Sequence, residues 1–231
     1  MPQNEKSAAA ATGAPTLVIG TKALSSWSLR PWLLLAHYQV PFKETLLQFD
    51  DAYSTPTHTF KEQVAPLSPT GKVPALHDHT LQDGSQIIWD SLAICEYVNE
   101  RFLGGRAWPA DIARRGLARS VAAEMHSGFA SLRQQMPMNV LREPLAIDAS
   151  EATQADIRRI CALWRELLGR FGGPFLFGEF SIADCFYAPV ATRFRSYAVA
   201  VGPVERGYID SIYQLPAMHD WIAQARESHP E

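Results

Sequence analysis

Ser25, Ser26 and Ser28 crowd into one short stretch, Ser25-Ser26-Trp27-Ser28-Leu29-Arg30-Pro31-Trp32. A serine hydroxyl is neither an acid nor a base at neutral pH, but it donates a hydrogen bond to an anion. At a helix start that bond adds to the unpaired N–H groups of the first turn and to the positive end of the helix dipole, so a thiolate or carboxylate is favoured there. A single serine would read as an N-cap and nothing more. Three are more than one cap needs, which makes the cluster a candidate anion-holding site. Two further pieces of chemistry stand downstream. Lys72-Val73-Pro74 sets a cation beside a proline, and Asp90-Ser91, alone, reads as a helix-capping pair.

The elements that must carry these residues are legible in the apolar pattern. Thr16 to Gly20 is a short β-branched run, hence a buried strand, and Leu29, Leu33, Ala36 and Val40 recur at helical spacing behind the serines, with Pro31 expected in the first turn. Glu44 to Phe49 reads as a second strand, Asp50 to Pro69 as an irregular, proline-bearing stretch of the kind that borders ligands, and Lys72 to His77 as a third strand. Asp83-Gly84 signals a hairpin turn into a fourth strand, Gln86 to Trp89, after which Asp90-Ser91 heads a helix bearing Leu92, Cys95, Val98 and Phe102. From Asp111 the pattern turns helical throughout. Leu117, Val121, Met125, Phe129 and Leu132 form one stripe ending at Pro137, and Ile157, Ile160, Trp164, Leu168 and Phe171 form another closed by Gly172-Gly173. Ser181 with Asp184 reads as a capping box, and Pro216 opens a last helix.

Composition narrows the function classes. With 231 residues and 47% hydrophobic content the chain can bury a substantial core in one or two domains. Its three cysteines, Cys95, Cys161 and Cys185, are odd in number, lack C-x-x-C spacing and fall in helical stripes, as reduced core residues of a cytoplasmic protein do. A net charge of −3 gives no general attraction to nucleic acid or to anionic membranes. No apolar run approaches the ~20 residues of a membrane span. Residues 1–15, rich in alanine, read as a disordered leader.

From Thr16 onward the chain resembles a cytosolic glutathione S-transferase of the serine type, most like the zeta class. That class has an active-site signature beginning with two serines and ending in arginine, as Ser25-Ser26-Trp27-Ser28-Leu29-Arg30 does. The resemblance implies a fold of α/β plus all-α type: a thioredoxin-like glutathione-binding domain over 16–103, then an all-helical domain over 108–231 that supplies a hydrophobic second-substrate pocket. It also implies a homodimer, a cytoplasmic location and no metal. Glutathione would be the substrate or cosubstrate. The Val73–Pro74 bond would be cis, with Val73 pairing to the peptide backbone of the ligand as an added strand does. Asp90 would take the γ-glutamyl ammonium and Ser91, with the helix N-terminal N–H groups, its carboxylate; Lys72 would either neutralise the glycyl carboxylate or stand in solvent.

The mechanism implied is a thiolate held by a hydroxyl. A free thiol has a pKa of ~8.5, and lowering it by ~2 units corresponds to about 2.7 kcal/mol. Ser25, the first of the pair, is the expected donor, with Ser26 as the alternative. Trp27 stands where the zeta signature has cysteine, which counts against the maleylacetoacetate isomerase activity of that class and against reduction of mixed disulfides. The second-substrate pocket would draw on Trp27, Met125, His126 and Phe129, with Arg193 or Arg195 nearby. The expected activity is conjugation of glutathione to small electrophiles, a detoxification chemistry. The alternatives are a glutathione-dependent isomerase and a glutathione-transferase-like binding module with little catalysis.

Overall fold

The computed structural model describes residues 13–50, 59–82 and 84–228. Strands β1 (Thr16–Gly20), β2 (Lys43–Leu47), β3 (Ala75–Leu81) and β4 (Gly84–Trp89) form one sheet in the order β2-β1-β3-β4. β1 runs parallel to β2, antiparallel to β3, and β3 pairs antiparallel with β4. A parallel pair requires a crossover, and α1 (Ser26–His37) provides it. Alternation along β1 splits the core between the two faces of the sheet. Leu17 and Ile19 join Leu29 and Leu33 of α1 and Ile94 and Val98 of α3 (Ser91–Leu103), whereas Val18, Leu47 and Ala75 meet Val64 of α2 (Phe60–Val64) on the other face. The N-terminal part is therefore a thioredoxin-like domain.

An all-helical domain follows: α4 (Ile112–Ser127), α5 (Ala130–Gln135), α6 (Glu151–Phe171), α7 (Ile182–Ser196), α8 (Pro203–Tyr213) and α9 (Pro216–Glu227). α7 is buried along nearly its whole length and packs against α1, α4 and α8, so it joins the two halves of the molecule. It begins at the expected capping box: Asp184 accepts from the backbone N–H of Ser181, and the Ser181 hydroxyl donates to the same carboxylate. Among the described residues no helix is long and apolar enough to cross a membrane.

Several boundaries differ from the sequence reading. The stripe expected to run unbroken from Asp111 to Leu132 is cut at Gly128 and Phe129. A Cβ on Gly128 would sit 2.7 Å from the Glu124 carbonyl oxygen, and Phe129 takes φ +54°, so the chain turns there before α5 starts. Lys72 to Pro74 precede β3 rather than open it, because a proline cannot donate to the ladder. Part of the stretch from Asp50 to Pro69 is helical, as α2 with a Thr59–Glu62 capping box. Pro31 lies in the second turn of α1, which starts at Ser26, so its missing N–H removes the bond to the Trp27 carbonyl. The expected leader is ordered at its end, since Pro15 is buried and its carbonyl accepts from Lys43 N at 2.8 Å. The remaining leader positions, 1–12, and Asp83 of the hairpin signal lie outside the described residues.

Candidate functional site

The serine loop leaves β1 at Gly20 and turns into α1. The Thr21 carbonyl accepts from both Leu24 N and Ser25 N, closing the turn. The Ser25 hydroxyl, at the N-cap, caps no backbone N–H of the helix; it donates to Ser28 Oγ at 2.7 Å, and Ser28 Oγ also accepts from Gly20 N at 3.1 Å. Ser28 is fully buried. Two of the serines thus fasten the helix start to the strand end, which accounts for the crowding of hydroxyls better than shared catalysis does. Ser26 differs. Its Oγ accepts from Arg193 Nη2 of α7 at 3.3 Å, and its own proton has no acceptor among the described residues.

Arg30, one turn further along α1, organises the next group. It is buried, with its guanidinium between the rings of Trp27 (4.2 Å) and Phe186 (4.5 Å). Nη1 donates to Ser91 Oγ at 3.2 Å and to His126 Nδ1 at 3.4 Å. His126 Nε2 in turn lies 3.2 Å from Asp90 Oδ2. Asp90 has φ +73° and uses Oδ1 to accept from Leu92 N and Ala93 N. Those bonds take two of the first-turn N–H groups of α3 that the sequence reading left for a ligand carboxylate, so the Ser91 N–H and hydroxyl remain. Because Ser91 Oγ accepts from Arg30, its proton is free to donate outward.

Electrostatically the site is positive. Burial, reinforced by Arg193, lowers Arg30 to about 9, which still leaves it charged at neutral pH. Burial and then Arg133 lower Arg193 to about 10. Arg133 stands 5.5 Å from the Trp27 ring on the side of α5. His126 is held below its ordinary value by burial and by Arg30 and Arg133, with Asp90 opposing.

These groups border a cleft of about 480 Å³ lined by Trp27, Thr70, Lys72, Val73, Pro74, Trp89, Asp90 and Ser91. The Val73–Pro74 bond is cis. Lys72 and Asp90 are exposed and Ser91 is buried at the base of α3. Ser25 and Ser26, only 4% and 8% exposed, do not line the cleft, whereas their chain neighbour Trp27 does. Of the residues expected to form a second-substrate pocket, Trp27 is on the cleft and His126 meets its ring edge-on at 5.2 Å. Met125 is wholly buried in the core, and Phe129 is buried at the break before α5, because the inward face of α4 packs on α7. Neither lines the cleft. Arg195 also stands elsewhere, over the ring of Tyr213. Arg30 has no expected part beyond the signature, and Thr70, Trp89 and Arg133 carry no local signal in the sequence that marks them for the site.

Residues 24–101 match the family model "Glutathione S-transferase, N-terminal domain", and residues 147–224 match "Glutathione S-transferase, C-terminal domain". A probable maleylacetoacetate isomerase of Caenorhabditis elegans is 28% identical over 94% of this chain and 95% of its own. A zeta-class glutathione S-transferase of Euphorbia esula is 30% identical over 59% of this chain and 61% of its own. In structure, a glutathione transferase homologue from Burkholderia GL BGR1 with bound glutathione superposes with a TM-score of 0.67, at 23% identity, over 93% of this chain and 99% of that one. With both of its domains matched in order and the thioredoxin-like and helical halves in place, the chain belongs to the glutathione S-transferase family.

Proposed function

We propose that the protein is a glutathione transferase that conjugates the glutathione thiolate to small electrophiles. The observation that carries this reading is the Asp90–Ser91 corner. Ser91 has its oxygen filled by Arg30 and its proton free, and beside it lies a carboxylate oxygen, Asp90 Oδ2, at the edge of the cleft. An ammonium and a carboxylate on one carbon, the γ-glutamyl end of glutathione, satisfy that pair. Val73 beside the cis proline lines the same cleft, where a peptide backbone can pair.

The chemistry is thiolate stabilisation. Trp27, Arg30 and Arg193 surround the start of α1, and Ser26 is the serine with a proton to give. A hydroxyl whose oxygen already accepts from a guanidinium is the better donor, and the positive surroundings favour the thiolate over the thiol. The thiol proton leaves to solvent, the sulfur attacks the electrophilic carbon, and either a leaving group departs with the bonding electrons or, on addition to a double bond, the carbanion formed takes a proton from solvent. Orientation against the sulfur supplies the rest.

The Caenorhabditis elegans relative supports a second reading, in which the same thiolate adds to a cis double bond, the new single bond rotates, and elimination returns glutathione unchanged. Following free glutathione during turnover separates the two: conjugation consumes one thiol per product, isomerisation none. A protein that neither binds glutathione by calorimetry nor lowers the pH at which its thiolate absorbance appears would overturn both readings.

A further inference from the structure

We propose that His126 is a positioning residue that relays the buried Arg30 charge to Asp90 and holds the ammonium-binding carboxylate in place; this rests on the glutathione reading above. A guanidinium only donates, so the His126 Nδ1 at 3.4 Å from Arg30 Nη1 must be the acceptor nitrogen, and the proton of a neutral ring sits on Nε2, 3.2 Å from Asp90 Oδ2. Both ring nitrogens are spent in this way. His126 therefore cannot act as a free base, which removes the catalytic part its place beside the cleft would otherwise invite.

The connections converge on one nitrogen. Arg30 Nη1, on α1, fixes Ser91 directly and Asp90 through His126, which comes from α4 in the helical domain. The γ-glutamyl corner, built on α3, is in this way completed from the other domain. Asp90 Oδ1 is committed to capping α3, so only Oδ2 can meet an ammonium, and His126 sets its direction.

Protonation breaks the relay. A charged imidazolium would carry a proton on Nδ1 and point it at Arg30, so the acceptor is lost. The charged groups facing the ring are Arg30 of α1, Arg133 of α5 and Asp90 at the head of α3, while Trp27 and Phe186 of α7 present only rings. The two arginines oppose the imidazolium, in keeping with the ring's depressed titration. Glutathione then binds best to neutral His126, and affinity falls as pH drops through the His126 transition below about 6.5.

Glutathione affinity measured by calorimetry from about pH 5 to 8 for the wild type, His126→Ala and His126→Gln tests this. The glutamine amide can accept from Arg30 and donate to Asp90 but does not titrate. His126→Ala should weaken glutathione about ten-fold or more at neutral pH, the loss falling on KM rather than kcat. His126→Gln should recover most of the affinity and lose the acid-side decline. A purely structural role, packing against Trp27 and Phe186, would leave that decline untouched in the glutamine variant. Wild-type affinity in His126→Ala, or a wild-type pH profile in His126→Gln, overturns the relay while leaving glutathione binding intact. Absence of glutathione binding by the wild type overturns the function itself and the relay with it.

Discussion

On the proposed glutathione reading, the serine that would meet the sulfur is the one whose hydroxyl proton is unspent. The Ser25 proton is spent on Ser28, whereas Ser26 accepts from Arg193 and keeps its own. Ser26→Ala should therefore raise the pKa of bound glutathione by about 1–2 units while changing glutathione affinity little. Ser25→Ala should leave that titration alone and cost about 1 kcal/mol of stability through the lost bond to Ser28. Thiolate absorbance against pH, with thermal melts alongside, separates the two; an unchanged titration in Ser26→Ala would end the proposed role. Asp90 caps α3 through Oδ1, and in the proposed reading its Oδ2 would take the ligand ammonium. Asp90→Asn keeps the Oδ1 cap but loses the charge, so glutathione affinity should fall by about 1–3 kcal/mol with the melting temperature nearly kept, whereas Asp90→Ala should lose about 1 kcal/mol of stability as well. Calorimetry showing wild-type affinity in Asp90→Asn would refute the ammonium assignment. The serine cluster, Lys72-Val73-Pro74 and Asp90-Ser91 stand out in the sequence by their combination and spacing, although each alone reads as a cap or a strand proline. The burial of Arg30 between two rings, and which of Arg193 and Arg195 reaches the serine loop, were not legible, since nothing local distinguishes a helical arginine that faces solvent from a buried one.

At the scale of elements, α7 depends on a carboxylate buried at its first turn. Asp184 takes Leu176 N, Ser181 N, the Ser181 hydroxyl and the Tyr208 hydroxyl, tying a turn and α8 to the helix start. Asp184→Ala strands those donors in the core and should cost about 3 kcal/mol or more in urea denaturation; a loss under about 0.5 kcal/mol would mean the cap is dispensable. Full burial outweighs the four donors and pushes Asp184 up to about 6. A carboxyl raised in the folded state contributes most below its unfolded value near ~3.9 and loses that contribution as pH climbs through about 6. The stability difference between wild type and Asp184→Asn should accordingly shrink over that window, and a difference that grows would reverse the assignment. Capping boxes of this kind could be read from the sequence because both partners sit three residues apart. The break at Gly128 could not. The apolar stripe continues through it from Met125 to Leu132, and the close approach of Gly128 to the Glu124 carbonyl, which leaves no room for a Cβ, exists only in three dimensions.

On the scale of the molecule, short apolar runs bounded by turn signals, followed by stripes of period 3.6, were enough to give a sheet domain and then a helical one. The joint between them is what the sequence hid. Lys22 bridges Glu44 and Gln224 of α9 between the rings of Trp32 and Trp221, Val140 N bonds the Ala23 carbonyl at 3.0 Å, and Arg193 and His126 reach across to Ser26 and Arg30. Apart from Lys22 and Glu44, which stand 22 residues apart, the partners in each of these hydrogen bonds are about a hundred residues or more apart, beyond any local pattern. The same joint seals the nearest thiol. Cys95 lies on α3 close enough to feel Arg30, yet burial dominates and drives its pKa far up. Cys185 is pushed up in the same way, and Cys161 to about 11. Reduction of a glutathione mixed disulfide by this route requires an exposed protein thiolate to attack sulfur, and a hydroxyl cannot replace it at neutral pH. The protein should accordingly conjugate or isomerise with glutathione while showing negligible thioltransferase turnover. A mixed-disulfide reduction assay that gave robust turnover, abolished in Cys95→Ser, would place a reactive thiolate where the packing leaves no room for one.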